Sequence, residues 1–162
     1  MKKMTSYLYR IIYIFSAVIT IGSFTFANLT AVSPTHNGGG NGNIGLLGFF
    51  FLFPFIIIFV AMTISYLHGY MYRKLKKNSI RIITSGSLLG MILIISITLI
   101  RAFNLKSILA EVNPIYRGRT DIPLFTIYSN AVFFNFFTFV LLLLICFFIS
   151  GLMTIKKKLT IH

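Results

Sequence analysis

Apolar residues in this chain fall in four long blocks rather than in short alternations. The blocks cover roughly residues 11–31, 44–72, 82–100 and 124–155, and none holds a Lys, Arg, Asp or Glu. A helix needs about 20 apolar residues to cross the hydrocarbon of a bilayer. There every backbone N–H and C=O has to be paired within the spanning structure. The pattern therefore predicts four spanning helices, over about 8–31, 44–70, 82–101 and 126–154. The expected fold is all-α: a polytopic membrane protein built as a four-transmembrane-helix bundle, with residues 1–162 forming a single integral membrane domain.

The connections read differently from one another. Residues 32–43, VSPTHNGGGNGN, carry no formal charge, and Pro34 with Gly38, Gly39, Gly40 and Gly42 predicts a flexible, solvated hairpin. The glycines lack the Lys-Ser/Thr pair of a phosphate-binding loop. Residues 73–81, RKLKKNSIR, are too few for a domain, so the second and third spans should form an antiparallel hairpin. Pro54 lies inside the second span and predicts a kink near 50–54. In the 102–123 connection, Leu105, Ile108, Leu109 and Val112 share one helical face. That segment either lies in the headgroup plane or extends the third span, and Asn113-Pro114 should end it.

Charge adds an orientation. The net charge is +13, with an apolar fraction of 57% and a charged fraction of 10%. Eleven of the 15 basic residues flank the chain ends or fill the 73–81 gap, among them Lys2, Lys3, Arg10, Arg73, Lys74 and Lys156. The other four, Arg101, Lys106, Arg117 and Arg119, lie in the 102–123 connection or at its edge. Basic residues favour the cytoplasmic side. Both the N- and C-termini and the 73–81 loop are thus expected to be cytoplasmic, with 32–43 and 102–123 outside. Tyr7, Tyr9, Tyr13, Tyr66, Tyr70 and Tyr72 would then line the inner interface, and Tyr116 and Tyr128 the outer one. This distribution argues for a bilayer with anionic lipids at the cytoplasmic face as partner, and against nucleic acid. Lys2, Lys3 and Arg10 ahead of an apolar run ending Thr25-Phe26-Ala27 resemble a secretory signal, but the run is long for one, and a retained first helix is expected.

Candidate chemistry is sparse. Glu111 and Asp121 are the chain's carboxylates, and neither falls in a span. His36, His68 and His162 are dispersed, so no metal site and no cofactor are expected. Ser65 and His68 are one turn apart without an acid to orient the imidazole. Cys146 has no second cysteine to pair with. No catalytic residue is assigned, and the chain is not expected to be an enzyme.

Two sets of residues remain. Gly86 and Gly90 form a GxxxG pair suited to close helix packing. Asn28, Arg101, Asn130 and Asn135 all fall on the outer half, as helix-to-helix hydrogen bonders or as a candidate polar pocket. The expectation is a small multi-pass protein of the cell membrane that acts by helix or loop contacts. Its partner would be another membrane protein or a second copy, and its role that of an accessory subunit or immunity-type factor. The alternative is a small transporter or channel component with an outward-facing polar pocket.

Overall fold

The computed structural model describes residues 2–36 and 43–160. The protein is all-helical: α1 Lys2–Leu29, α2 Ile44–Lys74, α3 Lys77–Val112, α4 Asn130–Phe133 and α5 Phe136–Thr160. Four helical stretches are long and apolar enough to cross a membrane: Tyr7–Leu29, Ile44–Lys74, Lys77–Val112 and Asn130–Leu159. The glycine run at 38–42 lies outside the described residues, as does His162.

Helix α2 continues through Pro54. Its first turn is capped by Asn43, whose side-chain oxygen accepts from the Leu46 N–H at 2.9 Å. Only Leu75 and Lys76 separate α2 from α3, yet the two do not pack as the hairpin expected from the short connection: they make little contact with each other, and each lies against α5. The hydrophobic face through Leu105, Leu109 and Val112 extends α3 as one unbroken helix, and Asn113 ends it as the sequence suggests.

The fourth span departs from expectation. The sequence pattern predicts one uninterrupted helix over 126–154, but the structure breaks it between α4 and α5, at Phe134 and Asn135. Neither proline nor glycine is present there. The side chain of Asn135 accounts for the break, as described below.

Helix α5 is central. It packs along α3 and α2, and α1 packs mainly on α2, while α1 and α3 stand apart. Close approach is set by small and hydroxylated residues. Ser16, Thr20, Ser23 and Ala27 form a buried stripe on α1, with the Thr20 and Ser23 hydroxyls turned back onto carbonyls one turn earlier. On α5 the equivalent stripe is Cys146, Ser150 and Thr154. Ser150 Oγ donates to the Cys146 carbonyl at 2.6 Å and lies 3.1 Å from the Ile64 carbonyl of α2. Small residues on facing stripes let the helix backbones approach closely.

Candidate functional site

Polar residues concentrate where α1, α2 and the broken fourth span meet. Breaking a helix frees carbonyls at the end of one segment and N–H groups at the start of the next. Where such groups are buried they need another partner. Asn135 answers in both directions. Its Nδ2 donates to the Ala131 and Val132 carbonyls at 3.1 and 2.8 Å. Its Oδ1 accepts from the Phe137 and Thr138 N–H groups at 2.9 and 3.2 Å. Thr138 Oγ1 in return accepts from the Asn135 N–H at 2.9 Å. This is the reciprocal geometry of a capping box, with threonine in the position usually held by Glu or Gln. One carbonyl is served from another helix: Asn28 Nδ2 on α1 donates to the Phe134 carbonyl at 2.7 Å.

Aromatic rings close around the joint. Phe24 meets Phe49, Phe134 and Phe139 edge-on at centroid separations of 5.5–6.0 Å, a favoured arrangement. Beside them is an open cavity of about 410 Å³ between α1 and α5, lined by Ile21, Phe24, Thr25, Asn28, Leu29, Asn135, Phe136 and Phe139.

Asn130 lies at the start of α4 and is buried. It pairs with Asn43 amide to amide, each Nδ2 donating to the other's Oδ1 at 2.8 Å. Gly45 sits against this pair, where an added Cβ would run into Thr30 Oγ1 and come within 2.7 Å of Asn130 Nδ2. Asn130 thus ties the end of α1 and the start of α2 to the fourth span.

Beyond the joint, residues 32–36 pack against the end of α3 and the 113–128 connection. Leu109, Ile122 and Tyr128 make a small core. Asn113, fully buried, donates to the Pro34 carbonyl at 2.6 Å, and Tyr128 Oη donates to the His36 carbonyl at 3.0 Å. Gly118, at φ 73°, makes the reversal that lets its N–H reach the Ala110 carbonyl. Arg119 and Asp121 pair bidentately on the exposed rim at 3.1 and 3.0 Å. The guanidinium holds the Asp121 carboxyl below its ordinary range, and Asp121 raises Arg119 in turn.

The four outer polar residues expected from sequence do not converge. Asn28 and Asn135 share the break, while Asn130 belongs to a separate amide pair. Arg101 is exposed on α3, in a depression with Ile94, Ile97, Thr98, Asn135 and Phe137. Gly86 and Gly90 also differ: an added Cβ at Gly90 would lie 3.0 Å from Leu144 of α5, whereas at Gly86 it would meet nothing. At the opposite end, His68 Nδ1 is 2.9 Å from Thr154 Oγ1, Lys158 Nζ donates to the Leu75 carbonyl, and Lys157 lies over the Tyr72 ring. Among the described residues no group of three or more His, Cys, Asp or Glu is arranged to hold a metal.

Asn43 was not singled out by the sequence, and Asn113 only as the end of a helix. Asn43 had a signal, since it stands directly before an apolar helix. The further role of Asn113, holding the Pro34 and His36 carbonyls, depends on distant backbone that no local pattern encodes. No family model matches this chain, and no curated protein or solved structure matches it.

Proposed function

We propose that this is a multi-pass protein of the cell membrane with both termini in the cytoplasm. It acts by lateral and loop contacts with another membrane protein or a second copy, as an accessory subunit or immunity-type factor. The observation that carries the reading is the outward face of α3. Gly86 is open there, and Ile82 and Leu89, 72% and 68% exposed, flank the notch with Leu93 in line. A glycine notch between large apolar side chains admits the backbone of a second helix. The basic residues at the chain ends and at 73–81 support the orientation and a cytoplasmic face rich in anionic lipid.

The transport alternative draws on the cavity beside Asn28 and Asn135. Those amides are already engaged in holding the break, which leaves them poorly placed to bind and release a solute. The test is Gly86→Leu. Unchanged helicity with loss of co-purifying membrane protein, or of self-association, is the expected result. Retained association would count against the reading, and loss of solute flux in Asn135→Leu vesicles, with the fold kept, would favour transport.

A further inference from the structure

Arg101 has no hydrogen-bond or ion-pair partner among the described residues. Of the two carboxylates, Asp121 is held by Arg119. Glu111 lies ten residues further along α3, about 15 Å along the helix axis. A guanidinium does not give up its proton in a protein, so Arg101 presents a permanent, exposed positive charge with no anion from the described residues beside it.

Its position indicates which. Arg81 and Arg101 are on the same continuous helix with no charge between them. Twenty residues at helical rise separate them by about 30 Å, the thickness of the hydrocarbon layer. With Arg81 at one interface, Arg101 is level with the phosphates of the other.

The depression around it is small, about 50 Å³, and combines a charge with apolar walls. Arg101 marks the charged end. Ile97 and Phe137, 47% and 58% exposed, form apolar walls toward the middle of α3, with Ile94 at the base. Asn135 lines it too, but both ends of its amide are bound to backbone. The seam therefore offers one free cation above hydrocarbon-like walls. A soluble anion has no use for those walls, whereas a lipid phosphate with an acyl chain uses both.

We propose that this seam between α3 and α5 binds an anionic phospholipid of the leaflet at the Arg101 end. Guanidinium N–H groups take the phosphate oxygens in a bidentate contact. One acyl chain lies over Ile97, Ile94 and Phe137. The bound lipid bridges α3 to the first turn of α5, next to the break. The proposal rests on the reading that α3 crosses a bilayer.

The test uses the full chain in phosphatidylcholine nanodiscs carrying a few per cent of a photoactivatable phosphatidylglycerol, with cross-linked peptides mapped by mass spectrometry. Cross-links within 94–101 and 135–137 are expected. Arg101→Gln should reduce them about fivefold, the equivalent of roughly 1 kcal/mol for one basic residue at a lipid surface. Arg101→Lys should retain most of them, and replacing Lys156, Lys157 and Lys158 with Gln should leave them unchanged. Equal labelling by photoactivatable phosphatidylcholine, an unchanged Arg101→Gln yield, or cross-links from the seam to a second copy would each overturn the proposal. Release of the protein from membranes by alkaline extraction would instead remove the spanning reading, and the lipid site with it.

Discussion

The side-chain amide of Asn28 on α1 donates to the main-chain carbonyl of Phe134 at 2.7 Å, across 106 positions of sequence. That carbonyl is one the break in the fourth span leaves without its helical partner. The first span thus completes the hydrogen bonding of the last, and the break is a property of the bundle rather than of one segment. Asn28→Leu keeps the bulk and removes the donor. The loss in stability is expected at about 1–2 kcal/mol. It lies at the low end for an unsatisfied buried acceptor because the unfolded chain in lipid also finds partners. Equilibrium unfolding in mixed micelles measures it, and an unchanged midpoint would mean the contact carries no weight.

Asn135 supports both sides of the break, so its removal should act more strongly. Asn135→Ala frees two carbonyls and two N–H groups at once, and Thr138→Val removes only the two contacts of the Thr138 hydroxyl, with the Asn135 N–H and the Asn135 carbonyl. The alanine variant is predicted to lose about 2 kcal/mol and the valine variant about 1 kcal/mol. The double variant should lose less than the sum, because the two side chains form one cap. Additive losses would show that they act separately.

The glycines give a contrast within one protein. An added Cβ at Gly151 on α5 would run into the Thr84 side chain of α3, and at Gly86 it would meet open space. Gly151→Ala is expected to destabilise by about 1–3 kcal/mol through overpacking. Gly86→Ala should be neutral, or stabilising by up to about 1 kcal/mol, since alanine is the better helix former. The same unfolding assay ranks them, and the reverse order would contradict the packing described.

The Arg119–Asp121 pair gives a pH dependence. The Asp121 carboxyl titrates below its ordinary value because the Arg119 guanidinium binds the charged form. Its contribution is complete above the ordinary carboxylate range and is lost as pH falls through the lowered value. The pair is exposed, so the effect is local and small. Proteolysis within 114–121 should be insensitive to pH near neutrality and faster only in strong acid. In Asp121→Asn the fast rate should hold at every pH.

Much of the architecture is written in hydropathy, because in lipid a helix is the simplest chain that pairs its own backbone. That is why the four apolar blocks read directly as helices, and why the face through Leu105 and Leu109 reads as a continuation of the third. The break at Asn135 escaped for a physical reason: averaged apolarity does not register one amide among phenylalanines. The Asn135-x-x-Thr138 spacing was the available signal, a capping pattern set inside a span rather than at its start. The stripe Ser16, Thr20, Ser23 and Ala27 was likewise visible as small residues at i, i+4, i+7 and i+11. The Asn43–Asn130 pair joins residues 87 positions apart, which no local pattern encodes.

The central claim is that the chain crosses a bilayer four times, with its ends on one side and the 32–43 and 102–123 connections on the other. Single cysteines placed at Lys3, Thr120 and His162 in a Cys146→Ala background test it, using a membrane-impermeant thiol reagent on intact cells. Thr120→Cys should label before the membrane is opened, and Lys3→Cys and His162→Cys only afterwards. Labelling of just one of the two ends in intact cells would contradict the account.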